Sequence, residues 1–546
     1  MLRFFVLRGG RPADAWPLHH AMLVAADGST AQGRARVEAG MLIAETETAS
    51  PVSLELLTPL EGGAEARDRE LMLSTTLLPH RERPYLLSLE LARKQVMRFL
   101  NALESWNLAD IPPDGTAMQT FNRARQDFST AVVAWRSVRV DDGDADMDGV
   151  IAADRLARRA LVDAVEAGEE LVREATARGI AARSDGSVFK DALARAERSL
   201  GRTAESTIAV VKAPETSGVA MAGVAKLGCT VSPRRFDDAS QSAAARAAEF
   251  VSVPMPWREI EPSEGTYAFA GTDRWIEWAI RKAKLPVTVG PIIDLDPDAL
   301  PEWLFIWEND YDTLREIFYE HMRQVVTRYR RTVQWWTLAS SLGVEGGLNL
   351  RFEQIADLLR VATTVARKLH PQGRVQVELV DPFAAYAART PRTLPPLLLG
   401  ELIAQAGINV DAIALRVDLT GEGPRSVVRD AMAFSEMLDR YAEFDRPLAV
   451  TGLLCPAGAA DTSTGHEHGH WDGPWSPQIQ ARWLETMASV AASKPFVHSI
   501  CWGAASDADG GRAGLVDAGG QPRPALASMA QLRGTLRQGV GEALPT

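Results

Sequence analysis

Two hydrophobic periods divide the chain. Up to about residue 80, apolar positions fall in short runs at 2–7, 21–25, 35–37, 41–44, 52–57 and 70–75. Each run is strand-length and rich in large or β-branched side chains. Gly9-Gly10, Asp27-Gly28 and Gly62-Gly63 punctuate them. The pattern predicts a small antiparallel β-domain, sandwich-like, over residues 1–82. It holds a single tryptophan, Trp16, and no aromatic row, so packing or interaction is expected of it rather than sugar stacking.

From Pro84 the period turns helical, with Leu86, Leu89, Leu91, Val96, Leu100 and Leu103 on one stripe. Further helices are expected at about 116–135, 150–178 and 188–200. The Asp-rich stretch 141–149 joins two of them. It lacks the glutamate that a calcium loop places at its twelfth position, so it reads as a solvated connection. Residues 83–215 thus form a helical segment and linker. Its stripes are open to packing on the rest of the chain or to self-association with a second copy.

Beyond about residue 216 the two periods alternate. Strands are predicted near 226–231, 250–253, 286–290, 333–338, 375–380, 412–417, 448–453 and 498–502. Helices fill the gaps at 273–284, 311–329, 352–368, 395–406, 425–441, 476–492 and 525–536. Eight βα units in succession are the rhythm of a (β/α)8 TIM barrel, placed here at 216–546.

Composition narrows the function without naming it. A chain of 546 residues calls for two or three domains. Its net charge of −12 argues against a nucleic-acid surface. No run approaches the roughly 20 apolar residues of a membrane span. The opening MLRFFVLRGG reads as a first strand, since no small-residue cleavage site follows it. Three cysteines, Cys229, Cys455 and Cys501, make no disulfide framework. A reduced, cytoplasmic protein without a cofactor is the expectation.

Five stretches then converge. WREIEPSEGTY (257–267) resembles the W-x-x-I-E-P-x-x-G-x-[FY] signature that follows the second barrel strand in glycoside hydrolase family 10, the endo-β-1,4-xylanases. LPEWL (300–304), YRRTVQWWTL (329–338), VDAIALRVD (410–418) and CWG (501–503) with QPRPAL (521–526) resemble later family motifs in the right order. The resemblance covers about 225–536 and implies a barrel with a saccharide cleft at its mouth.

It also implies where catalysis would sit. Retaining glycosidases use two carboxyl groups about 5–5.5 Å apart. Extending the motifs places Ser340-Ser341 where the family carries its acid/base glutamate, and Thr451-Gly452 where it carries the nucleophile. Both carboxylates are missing, at Ser341 and Gly452. The family's neighbouring binding residues are replaced too, by Val253, Pro254, Met255 and Pro256, by Asp296-Pro297, and by Arg416 and Asp418.

Three candidate groups remain at the expected mouth. Glu345, Glu378 and Asp418 are carboxylates that a relocated catalytic pair would draw on, with Arg416 alongside; ion pairing that closes the barrel top is the structural alternative. Asp294 and Asp381 lie near the same rim. Trp257, Trp471, Trp475 and Trp502, with Asp296 and Arg416, are candidates for saccharide contact. His466, His468 and His470 repeat at every second position of a Gly-rich loop, a spacing that could hold a metal or simply be a surface tract. The leading expectation is a saccharide-binding or catalytically diverged pseudo-glycosidase. An active hydrolase using relocated carboxylates and an assembly protein on a barrel scaffold are the alternatives.

Overall fold

The computed structural model describes residues 1–60, 68–141, 144–200, 210–212, 219–221, 223–344, 347–348, 350–387, 393–420, 426–458, 469–507 and 511–538. Its centre is a closed, all-parallel barrel of eight strands. They are numbered here β1 (Lys226–Thr230), β2 (Phe250–Val253), β3 (Val287–Val289), β4 (Trp335–Thr337), β5 (Arg374–Val380), β6 (Ala412–Asp418), β7 (Leu448–Leu454) and β8 (Val497–Trp502). β8 returns to β1 through the pairs Lys226–Ser499 and Cys229–Trp502, which closes the ring.

Every strand therefore has one face toward the axis and one toward the helices. The outward positions are the apolar ones: Leu227, Val251, Val287, Val375, Val377, Ile413, Leu415, Leu448 and Val450 are all buried in the main core. The surrounding helices present matching stripes, as in Phe352–Leu369, where Ile355, Leu358, Leu359, Ala362 and Ala366 are buried. Two expected bounds move. The helix forecast to begin at Arg425 starts at Ala431, capped by the Asp430 side chain on the Ala433 N–H. The one forecast over 273–284 is α-helical only to Glu277 and continues as a π-turn to Ala283.

Residues 1–86 form two four-stranded sheets. One holds Leu2–Phe5, Gly33–Glu38, Met41–Thr46 and the short Tyr85–Leu86. The other holds Met22–Val24, Thr30–Ala31, Ser53–Leu60 and Arg69–Ser74. Leu86, expected in the helical stripe, thus belongs to a strand beside Phe5, and the first helix starts one residue later. Three long helices follow: α1 (Leu87–Ser105), α2 (Thr116–Ser137) and α3 (Met147–Ser184). No helix among the described residues is long and apolar enough to cross a membrane.

The front half is joined to the barrel by charge as well as by apolar packing. Arg98 of α1 reaches Asp430 at 3.1 Å and Glu436 at 3.0 Å on the helix after β6. Arg183 of α3 donates to the Ala492 and Val497 carbonyls at 2.9 and 3.0 Å. Glu169 of α3, buried, accepts from the Ala431 N–H at 2.9 Å. Burial, and then the neighbouring Asp430 charge, push its pKa up to about 7, against the pull of that N–H and of Arg69.

A raised carboxyl pKa means that the folded state holds its proton more tightly than the unfolded chain. Stability should therefore be highest below about pH 4.5 as far as this group is concerned, and fall as pH rises through 7. The full effect is of order 3 kcal/mol. In thermal melts taken across that window, Glu169→Gln should flatten the pH dependence relative to the unmodified chain. Parallel curves would show that the carboxyl does not titrate there.

Candidate active site at the barrel mouth

At the C-terminal ends of β4 to β7 the inward positions are polar. Glu378 on β5, only 5% exposed, is the hub. Ser340, just past β4, donates its hydroxyl to one carboxylate oxygen at 2.7 Å, and Thr451 on β7 donates to the other at 2.5 Å. Arg416 on β6 lies 3.8 Å from Glu378 and 3.9 Å from Asp418. Burial works against the Arg416 cation, but the Glu378, Asp418 and Asp294 charges outweigh it and hold the guanidinium firmly protonated. Asp294 is buried on the other side of the cluster. Burial raises its pKa, opposed by Arg416 and by a hydrogen bond from Ser341. Asp296 is half-buried beside it and donates its backbone N–H to Asp294 at 3.1 Å.

Chemically this is one cation shared by several carboxylates, with hydroxyls filling the remaining lone pairs of Glu378. Desolvated charges persist only when paired and hydrogen-bonded in this way. Asp381 stands outside the hub. Burial pushes it up to about 6, with Arg429 pulling the other way.

The backbone at Ser341 and Gly452, the two positions matched by motif, is unusual. Ser341 has φ +54 and Gly452 φ +56, both in the left-handed region. At Gly452 an added Cβ would lie 3.0 Å from Arg416 Cγ. The guanidinium stem occupies the space that a side chain there would need. These positions could be found in the sequence by motif, but their left-handed backbone could not.

The tryptophans are less available than their types suggest. Trp257 is fully buried and stacks on His321 with centroids 4.0 Å apart. Its indole N–H donates to Glu261 at 2.8 Å, and Glu261 also receives Gly265 N at 2.9 Å and faces His321 Nδ1 at 3.0 Å. The stretch 257–267 is therefore a structural knot built on Glu261, and Trp257 presents no ring face to a cleft. Burial lowers the His321 pKa, opposed by the Glu261 carboxylate that its Nδ1 faces. Trp502 is also buried, with its N–H on the Ala513 carbonyl at 3.1 Å. Trp475 bonds the Gly469 carbonyl at 3.3 Å. Trp471 is 8% exposed, and its indole nitrogen has no hydrogen-bond partner among the described residues.

Glu345, His466 and His468 lie outside the described residues. His470 is described and is tied by its backbone to Glu70 of the second N-terminal sheet, at 2.8 and 3.0 Å. Among the described residues no group of three or more His, Cys, Asp or Glu is arranged to hold a metal ion. The three cysteines are free and buried; burial pushes Cys501 up to about 12 and Cys455 well above its usual range. Sequence reasoning placed Glu378, Arg416 and Asp418 together, and the structure brings them together. Ser340 and Thr451 join them; the alternation of inward positions on β7 points to Thr451, whereas Ser340 lies past the end of β4, where alternation gives no signal.

Residues 217–531 match the sequence profile of glycosyl hydrolase family 10. The chain belongs to that family. Among curated family 10 relatives, endo-1,4-beta-xylanase 2 of Aureobasidium pullulans is 22% identical over 207 residues, which is 36% of this chain and 56% of that enzyme's length. The chain thus spans little more than half of that relative. Solved xylanases align over most of their own length. Xylanase 10B of Thermotoga maritima covers 57% of this chain and 96% of itself, at 16% identity and a TM-score of 0.43. The Thermobacillus composti enzyme covers 56% and 96%, at 18% identity and a TM-score of 0.42.

The Glu261 knot makes a direct prediction for this family 10 barrel. Glu261→Ala leaves the Trp257 indole, the Gly265 N–H and the His321 ring without their acceptor. It should cost about 2–4 kcal/mol, read as a lower denaturant midpoint at unchanged slope. A loss below 0.5 kcal/mol or so would show that water replaces the carboxylate.

Proposed function

We propose that this protein binds a saccharide at the barrel mouth without running the two-carboxylate hydrolysis of its family. The Glu378 hub carries the reading. Both oxygens of its carboxylate are occupied by the Ser340 and Thr451 hydroxyls. A retaining mechanism needs one free nucleophilic carboxylate and one acid within about 5.5 Å of it. Ser341 and Gly452, matched to those two roles by motif, supply neither. Glu378 and Asp418, the carboxylates that a relocated pair would use, instead share Arg416.

A mouth of this kind suits binding. Arg416, Asp418, Asp296 and the hydroxyls offer fixed donors and acceptors of the sort that orient a neutral polyol. Xylanase 10B from Thermotoga petrophila RKU-1 has been solved in complex with xylobiose, so xylo-oligosaccharides head the panel of ligands to try. Three buried free cysteines suit a reducing compartment.

Two measurements test the proposal. Calorimetry against a glycan panel should give saturable binding to at least one saccharide, weakened tenfold or more by Arg416→Met; no binding to any glycan would sink the reading. A hydrolysis screen on xylan, other β-glycans and aryl glycosides, at high protein concentration, should show no turnover. Turnover abolished by Glu378→Gln or Glu345→Gln would establish the relocated catalytic pair instead.

Restoring a carboxylate at the family's nucleophile position should not rescue hydrolysis. Gly452→Glu places a side chain at positive φ against the Arg416 stem, at a cost of about 1–3 kcal/mol. The expected outcome is a lower melting temperature and no activity. A stable, active variant would show that the mouth had kept the rest of the family's machinery.

A further inference from the structure

The opposite end of the barrel holds a cavity that the mouth does not explain. Barrel interiors are ordinarily filled by layers of Val, Ile and Leu. Here the inward positions of the lower layers include Gly228, Ser252, Thr288, Gln376, Ala414, Ala449 and Ser499, small or polar, beside the rings of Phe250 and Trp335. They leave a cavity of about 50 Å³, bounded by Ser252, Thr288, Gln376, Ser499, Cys501 and, at its upper end, Thr451. Gly228 has a specific part in this: an added Cβ would fall 2.3 Å from the Phe250 ring, so only glycine lets that ring lie across the lumen.

Three features describe what the cavity would hold. Its lining is polar, and only part of its hydrogen-bonding capacity is spent, by Gln376 on Thr337 and by Thr451 on Glu378. Ser252 and Thr288 sit side by side in register on β2 and β3, and with Ser499 they line the cavity. His498 Nε2 is also buried there without a partner. Apart from Lys226 at its base, its lining is uncharged. His498 stacks on Trp335 with centroids 4.4 Å apart, and burial, with Lys226 and Arg183 nearby, pushes its pKa down to about 3, so the ring is neutral. It is reachable as well, because Lys226 and Gln334 border it at the base of the barrel and both are exposed.

We propose that the lumen below Glu378 is a binding site for a small neutral molecule with both donor and acceptor groups, of the size of a few waters or a short diol. The guest enters at the base between Lys226, Gln334 and the Trp335–His498 stack, and ends under Thr451. The size follows from the volume, since one water needs roughly 10–15 Å³ of such space. The polarity follows from the Ser252, Thr288 and Ser499 hydroxyls in the lining and from His498 Nε2, buried there without a partner. The upper end has a consequence for the mouth: the hydroxyl that holds Glu378 is also the cavity's ceiling, so an occupant there touches the hub from beneath. This site stands apart from the saccharide reading and survives its failure.

The test uses the full chain and 1,2-ethanediol as the probe. The His498 ring nitrogens, labelled with nitrogen-15 and assigned by His498→Gln, report from inside the cavity. Titration with ethanediol should move the Nε2 resonance saturably. Sodium acetate at the same concentrations should not move it. Thr288→Val keeps the volume and removes one hydroxyl, and should weaken the apparent affinity roughly fivefold, the worth of one hydrogen bond. Absence of any His498 shift up to molar ethanediol would overturn the proposal. So would an equal response to acetate, or a shift that rises linearly and identically in Thr288→Val. Should that variant fail to fold, the ethanediol and acetate titrations of the unmodified chain still decide the matter.

Discussion

Barrel closure is the constraint on which the rest depends. Once Lys226–Ser499 and Cys229–Trp502 pair across the seam, every second residue of eight strands must face one axis, whatever its chemistry. Axial positions with large apolar side chains would have made a dry plug. This chain puts hydroxyls, an amide, an imidazole and a carboxylate there. Closure is also what brings Ser340, Glu378, Arg416 and Thr451, from four different strand ends and more than 100 residues of sequence, within hydrogen-bonding and ion-pairing reach of one another. The mouth is a product of topology acting on ordinary residue types, and its electrostatics depend on a single guanidinium.

Much of this was legible in the sequence because it rests on periodicity. All eight barrel strands and most of the helices between them follow from where apolar residues recur, and the helix Tyr311–Tyr329 was placed to the residue. The carboxylates around Arg416 were legible for the same reason, as positions at strand ends. What the sequence hid is of another kind. Periodicity says nothing about φ, so the left-handed backbone at Ser341 and Gly452 was invisible. It does not separate a tryptophan that lines a cleft from one that is locked in a core, and Trp257 is the latter because Glu261 and His321 claim it. Nor does it register that Leu86 can pair with a strand, Leu2–Phe5, some 80 residues away.

The relation of the front half to the barrel was the largest gap. The second N-terminal sheet lies against the loops that follow β5, β6 and β7. Met22, Leu57 and Met72 share a small apolar cluster with Ala385 and Val427, and Met72 N donates to the Val428 carbonyl at 2.8 Å. Arg429 reaches back to Glu55 at 2.9 Å. These contacts join surfaces that carry no shared motif, so only the folded chain reveals them. They place the second N-terminal sheet beside the rim of a family 10 barrel.

The exchange of backbone hydrogen bonds between Glu70 and His470 means that the rim segment after β7 serves as an extra rung on the edge of the second N-terminal sheet. Neither partner is complete alone: detached, the sheet would present an open edge to other chains, and the segment would lose the template that sets its shape. The boundary between the two halves of this protein is therefore a seam sewn through the backbone, so that the outline of the barrel's opening is inherited in part from residues some 400 positions upstream of it.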